Sequence, residues 1–390
     1  MHSIKNQDRS SENFHDPMES IGFYTLEDAR AAAVSLHTPL WRCELILTDV
    51  CNFTCPYCRG MEEGNKGHLT WDEAKFVIDM WAANGLRNLR LSGGEPTLWK
   101  GAYVDESGQK KHRGLIDLVA YAKNQGIQRI AISTNGSVST AYYQKLVAAG
   151  VNDFSISLDA CCAEVGDQMA GGVKGAWERV IQNIKVLSQL TYVTVGVVFT
   201  EDNVKDFHEV VRFASEDLGV DDIRILSSSQ WNEVFREVRI DPKLQQAHPI
   251  LNYRMQNYNA GRHVRGLHST DNPTCPLMLD DMAILKGKHY PCIIYMREQG
   301  TPVGIVDINL EPAEAIKKIR RERENWIQTH NTHLDPICQK NCLDVCVDYN
   351  NRVRDLNPIG AQLESRLPLK KNQGLAQRQL QSIAVKVVKN

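Results

Sequence analysis

Short β-rich runs alternate with helical patterns from about residue 43 to residue 227, and this alternation narrows the fold sharply. Parallel strands cannot be joined by tight turns; they need crossovers of about a dozen residues or more, which helices supply. The pattern therefore calls for a parallel sheet with helices packed on it. The runs fall at 43–48, 89–92, 129–133, 154–158, 193–199 and 223–226. Thr70 and Glu73 form a capping box ahead of the first crossover helix, whose apolar face is Phe76, Val77, Met80 and Trp81 and which Gly85 stops. Later helices centre on 115–122, 142–149, 177–187 and 204–214. Six such units are too few to close an eight-stranded barrel. The expected fold is α/β, an open, partial (βα)6 barrel over 41–230 with a smaller C-terminal, cysteine-rich extension.

Beyond residue 228 the alternation fails. The chain divides into an N-terminal extension (1–40), the barrel (41–230), a polar, aromatic-dotted connecting region (231–273), the cysteine-rich extension (274–350) and a basic tail (351–390). After Gly360 that tail carries six Lys and Arg against one acid, Glu364, the pattern of a solvated terminus more than of a nucleic-acid arm. The segment 101–113 interrupts the step from a strand end to its helix. It reads as a surface insertion, with a lid as the alternative.

The formal net charge is -2, with 45 Lys and Arg against 47 Asp and Glu, which argues against nucleic acid or an anionic membrane as the bulk partner. No run supplies the roughly 20 continuous apolar residues of a membrane span, and 1–40 has no apolar core with a small-residue cleavage site. The expected location is cytoplasmic. Thiols stay reduced there, so the eleven cysteines are not read as a disulfide framework. Eight of them fall in two groups: Cys51, Cys55 and Cys58, then Cys275, Cys292, Cys338, Cys342 and Cys346. Such grouping points to metal clusters.

Cys51-Asn52-Phe53-Thr54-Cys55-Pro56-Tyr57-Cys58 directly follows the first strand, where a barrel presents its active-site loop. Three thiolates ligate three irons of a cubane and leave the fourth open for chemistry. A structural zinc site competes, but it wants four ligands, and no further Cys or His lies nearby at ribbon or finger spacing. The C-x3-C-x2-C spacing, with Tyr57 before the last cysteine, resembles the radical SAM superfamily, and further motifs of that family follow in order. Ser92-Gly93-Gly94-Glu95-Pro96 resembles the family's GGEP, which holds the amino group of S-adenosylmethionine (SAM). Gly93 and Gly94 can bring backbone close to a ligand, and Glu95 offers an acceptor for an ammonium. Ser133-Thr134-Asn135-Gly136 ends the third strand and Ser155-Ile156-Ser157-Leu158-Asp159 forms the fourth. The resemblance assigns Ser133, Asn135, Ser157 and Asp159 to the SAM carboxylate and ribose, for which they have suitable donors and acceptors. Each motif alone reads as a turn or a strand face; their order at successive strand ends carries the resemblance. Gly196-Val197-Val198-Phe199-Thr200 departs from the family's G-x-I-x-G, with Thr200 where the second glycine belongs.

The resemblance implies a SAM-binding [4Fe-4S] cluster on Cys51, Cys55 and Cys58. It further implies an electron donor of flavodoxin or ferredoxin type, and a 5′-deoxyadenosyl radical that abstracts a substrate hydrogen. The span from Cys275 through Gly287 to Cys292 resembles the opening of the SPASM and twitch extensions, which hold auxiliary clusters. Cys338, Cys342 and Cys346 would supply the rest. Five cysteines are one more than a fully ligated cubane needs and three fewer than two need, so one auxiliary [4Fe-4S] cluster is expected. Which of the last three is spare stays open, and a structural zinc site competes here too. Cys161 and Cys162, just past Asp159 at the barrel rim, are candidate catalytic hydrogen donors, although a thiol at a strand end is more often a small packed hydrophobe. Cys43, His263 and His268 carry less weight.

The expected activity is oxidation or rearrangement of a small molecule, with peptide maturation as the alternative. The single auxiliary cluster and the short N-terminal extension favour the small molecule. A non-catalytic Fe-S or zinc protein, the reading from another class, has no need of the motifs at successive strand ends.

Overall fold

The computed structural model describes residues 28–228 and 240–357. Most of the N-terminal extension, 229–239 at the start of the connecting region, and the tail from 358 lie outside the described residues. The strands are β1 (Arg42–Ile46), β2 (Asn88–Ser92), β3 (Lys100–Val104), β4 (Lys110–Gly114), β5 (Arg129–Thr134) and β6 (Asp153–Ser157). They continue with β7 (Tyr192–Phe199), β8 (Asp222–Ser227), β9 (Asp281–Leu285), β10 (Lys288–Tyr290) and β11 (Gly304–Ile305). Nine of them form one sheet in the order β11-β10-β9-β1-β2-β5-β6-β7-β8.

All six runs expected from the sequence are strands, and β1, β2, β5, β6, β7 and β8 are parallel neighbours throughout. Their side chains alternate between two chemistries with the period of two that a strand imposes. Cys43, Leu45, Leu89, Leu91, Ile130, Ile132, Phe154 and Ile156 share one buried apolar cluster with Val77 and Trp81, Leu118, and Ile184 of the crossover helices. The alternate positions are polar and also buried. Arg42 lies 3.5 Å from Glu44 and 4.0 Å from Asp281, and Arg90 lies 3.8 Å from Asp153. The interior of the partial barrel is thus a network of paired charges, and its helix-facing side is oil. The capping box at the first crossover helix, Trp71–Ala83, forms in both directions, with Thr70 Oγ1 accepting from Glu73 N at 3.2 Å and Glu73 Oε2 from Thr70 N at 2.8 Å.

The sheet runs further than the sequence pattern indicates. β9 pairs with β1 in parallel, on the side away from β2, and β10 and β11 extend it antiparallel. The cysteine-rich segment is therefore built onto the edge of the barrel's own sheet. Five residues, Asp281 to Leu285, make too short a run for periodicity to separate strand from buried helix. Lys286 and Gly287 both have positive φ, 53° and 67°, the requirement of a two-residue hairpin turn of type I′; Gly287 thereby sets the spacing between Cys275 and Cys292.

The insertion at 101–113 is a surface hairpin of β3 and β4. It leans on the start of the first crossover helix, where the Arg113 guanidinium stands 4.9 Å from the rings of both Trp71 and Tyr103. Among the described residues no helix is long and apolar enough to cross a membrane.

Candidate functional site

Beyond β1 the chain enters a loop that carries the first three cysteines, and a backbone ladder fastens this loop to the end of β2. Leu47 N donates to Ser92 O (2.9 Å), Gly94 N to Thr48 O (2.7 Å) and Glu95 N to Val50 O (2.8 Å). So close an approach excludes side chains: a Cβ on Gly93 would lie 2.4 Å from Thr48 O, and one on Gly94 2.5 Å from Val50 O. Within the loop, Cys58 N donates to Cys55 O at 3.0 Å, closing a turn that keeps the backbone of the two cysteines adjacent. Cys51 Sγ accepts from Phe53 N at 3.4 Å, and Asn135 Nδ2 stands 3.6 Å from it.

Burial pushes the Cys55 thiol up to about 12, with Asp159, Cys58 and Cys51 adding to the effect, and burial also raises Cys51. Thiols so placed ionise together only when positive charge compensates them, which iron would supply. The donor set and the glycine cradle beside it suit a cubane with one open iron and a ligand that chelates it.

Glu95 is fully buried, and four protein donors already engage it: Thr97 N (3.1 Å), Thr97 Oγ1 (2.6 Å), Thr134 Oγ1 (2.8 Å) and Asn135 N (2.7 Å). Its carboxylate ties the end of β2 to the end of β5 and so sets where Gly94 and Asn135 stand. Ser133 Oγ accepts from Arg90 Nη1 at 3.0 Å, below the rim, whereas Ser157 is exposed at it.

Next to the loop is a cavity lined by Phe53, Cys55, Tyr57, Asn135, Ser157 and Asp159, closed on its far side by Met169 and Trp177. Tyr57 Oη donates to Asp159, whose other oxygen accepts from Val198 N at 2.8 Å. Burial pushes the Asp159 carboxyl up to about 6. The cavity is lined by a carboxylate, an amide and hydroxyl groups together with aromatic and apolar side chains. Phe53, Met169 and Trp177 escape the sequence reading. The available signal was the run of glycines at 171, 172 and 175 just before Trp177, all three with positive φ, which bends the chain back over the cavity. At Gly171 a Cβ would meet Thr54 Oγ1 at 2.1 Å.

All five C-terminal cysteines, Cys275, Cys292, Cys338, Cys342 and Cys346, line a second cavity, otherwise largely apolar. Cys292 caps the helix Ile293–Arg297, and its Sγ accepts from Tyr295 N at 3.4 Å. Asn350 reaches Cys275 Sγ with Nδ2 at 3.6 Å and accepts from Leu277 N at 2.8 Å. Burial raises Cys275 to about 12 and also raises Cys292 and Cys338, while Cys342 is raised first by its hydrogen bond with Cys346. Arg323, fully buried, donates to the carbonyls of Met278 (2.8 Å), Tyr290 (2.8 Å), Pro291 (3.1 Å) and Asp281. It clamps together the segments that follow Cys275 and precede Cys292. Asp335 accepts from Cys338 N (3.0 Å) and Tyr295 Oη (2.9 Å), and His330, stacked on Trp326 at 3.8 Å, stands beside it. Arg323, His330 and Asp335 also escape the sequence reading.

The remaining candidates lie apart. Cys161 is half-buried against the main core and Cys162 is exposed ahead of the helix Ala163–Met169; neither lines the cavity at Tyr57 and Asp159. Cys43 is a fully buried strand residue, and His263 and His268 are exposed.

The family model of the radical SAM superfamily matches residues 45–214. An AdoMet-dependent heme synthase of Methanosarcina barkeri is 32% identical over 174 residues, 44% of this chain and 46% of that protein. A probable GTP 3′,8-cyclase of Sulfurisphaera tokodaii is 28% identical over 183 residues, 46% of this chain and 53% of that protein. The chain spans about half the length of these curated relatives. The crystal structure of Streptococcus suis SuiB bound to precursor peptide SuiA superposes with a TM-score of 0.51 at 15% identity, covering 74% of this chain and 66% of that one. This last likeness is one of fold.

Proposed function

Because the chain belongs to the radical SAM superfamily, we propose that it is a cytoplasmic enzyme that reductively cleaves SAM at a [4Fe-4S] cluster on Cys51, Cys55 and Cys58 and oxidises or rearranges a small molecule. The observation that carries this reading is the ladder between 47–50 and 92–95, which brings Gly93, Gly94 and Asn135 against the three-cysteine loop. Once bound, the cluster and SAM would supply a 5′-deoxyadenosyl radical, formed with an electron from a flavodoxin- or ferredoxin-type donor. The chain's own residues orient and shield. Gly93 and Gly94 present backbone to the SAM methionyl group, with Glu95 holding them in place from behind. Asn135 stands towards its carboxylate, Tyr57 and Trp177 enclose the adenine, and Ser157 and Asp159 take the ribose. Four of the five C-terminal cysteines hold one auxiliary [4Fe-4S] cluster, which leaves no open iron there.

The two relatives named above are, by name, a synthase that makes heme and a cyclase of GTP, and each alignment covers less than half of this chain. That supports a small molecule as the substrate class and leaves its identity to experiment. The full chain, reconstituted without oxygen, is expected to hold about eight irons, the content of two cubanes, and to form 5′-deoxyadenosine from SAM with dithionite. Zinc in place of iron, or intact SAM after reduction, would refute the proposal.

A pH dependence follows from Asp159. Its pKa in the folded chain is about 6, so the proton is held below that pH and lost as pH rises through it. The ionised form accepts ribose hydroxyls better. SAM affinity is expected to rise as pH rises from about 5 to about 7, and Asp159→Asn should flatten the profile and weaken binding about tenfold at neutral pH, the loss of one charge-assisted hydrogen bond. Calorimetry at three pH values checks this; a variant profile that matches the parent would exclude Asp159 from the ribose.

A further inference from the structure

The five-residue helix Ile293–Arg297 touches both cysteine groups. Cys292 caps its start. From its last residue Arg297 Nη2 donates to Gly93 O at 3.2 Å, in the cradle described above. A Cβ on Gly60 would lie 3.1 Å from Arg297 Nη1 and 3.4 Å from Cys58 Sγ, so guanidinium and thiol are no more than 6.5 Å apart across the space that glycine leaves. The backbone at this point is pinned. Asn65 Nδ2 donates to Arg297 O (3.0 Å) and Arg59 O (2.6 Å), and Glu298 pairs with Arg59 at 2.6 Å. Among the described residues no carboxylate forms an ion pair with Arg297, because its neighbour Glu298 is turned to Arg59.

We infer that Arg297 is a positioning residue of the first cluster, a fixed positive charge beside Cys58 that favours the reduced state and holds the Gly93 carbonyl of the SAM cradle. The inference rests on the proposed function. One-electron reduction adds negative charge to a cubane already carrying three thiolates, and a half-buried cation a few ångströms away stabilises the more negative state. The helix rises about 1.5 Å per residue, or roughly 7.5 Å from Cys292 to Arg297. Metal ligation at Cys292 therefore fixes the base from which the charge is presented, and the C-terminal cysteines act on the SAM site through this one helix.

The test is a redox titration of the first cluster by electron paramagnetic resonance, in the full reconstituted chain, at pH 7 and pH 8.5. Arg297→Gln should hold as much iron as the parent but show a tenfold lower ratio of reduced to oxidised cluster at a given potential, a fall of about 59 mV in the midpoint. The fall should be equal at both pH values, and Arg297→Lys should recover at least half of it. SAM affinity should drop in both variants, since neither side chain carries the Nη2 that donates to Gly93 O. An unchanged midpoint in Arg297→Gln, equal shifts for Gln and Lys, or loss of the first cluster from both would make Arg297 a structural anchor and overturn the inference. A parent protein without a reducible cubane at Cys51, Cys55 and Cys58 would instead defeat the proposed function.

Discussion

Replacing Cys51, Cys55 and Cys58 together by alanine is expected to abolish 5′-deoxyadenosine formation while leaving about four irons per chain, the content of one cubane. Each single replacement should also abolish cleavage, since three thiolates are the minimum for a cubane with one open iron. The fold should survive. The loop is fastened by backbone bonds at Leu47, Thr48 and Val50 rather than by the thiols, and alanine leaves these intact. The iron that remains should show no spectral change on adding SAM, because four sulfurs fill its coordination. Continued cleavage in any single variant would remove the SAM cluster from this loop, and a SAM-dependent spectrum in the triple variant would mean that the C-terminal cluster is open.

The barrel was legible because each of its six strands carries an unbroken apolar stripe, from Cys43 and Leu45 on β1 to Ile223 and Ile225 on β8, set between turn residues and helical periods. The three-cysteine loop was legible because its spacing is chemically demanding. Other features depend on long-range contacts that leave no local trace. β9 became a strand only because β1 offers it an edge. Glu95 reads in the sequence as a group aimed at a ligand, yet it is buried against Thr97, Thr134 and Asn135. A carboxylate looks the same in sequence whether it faces a ligand or a neighbouring strand.

The helix Pro312–Thr329 shows the same limit. It carries the charged run Lys317-Lys318-Ile319-Arg320-Arg321-Glu322-Arg323. Only the spacing of Ile316, Ile319, Arg320, Arg323 and Ile327 places the two buried arginines on the stripe that meets the core. There Arg320 donates to the carbonyls of Leu279 (2.7 Å) and Ser35 (2.7 Å). The helix binds the N-terminal segment and the cysteine-bearing segment to the barrel through cations, not through its apolar residues alone.

Arg323→Ala is accordingly expected to cost about 3 kcal/mol or more, because it strips donors from several buried carbonyls at once and each unsatisfied group costs about 1–3 kcal/mol. Burial lowers the Arg323 pKa to about 10, so the side chain stays charged at neutral pH and all its donors remain in use. The carbonyls it holds belong to Met278, three residues past Cys275, and to Pro291, immediately before Cys292. Freeing them should let those two thiols drift apart. Iron should then fall from about eight to about four per chain, one cubane being lost, while the loop at Cys51, Cys55 and Cys58 keeps its cluster and some SAM cleavage uncoupled from substrate. Arg323→Lys should be nearly as damaging, since an ammonium is a point donor that cannot span acceptors on two chain segments as the fork does. Urea unfolding and iron analysis of both variants measure the two effects separately. An alanine variant with the parent's midpoint and full iron would show that the second cavity is held by its thiols and their metal, with Arg323 a bystander.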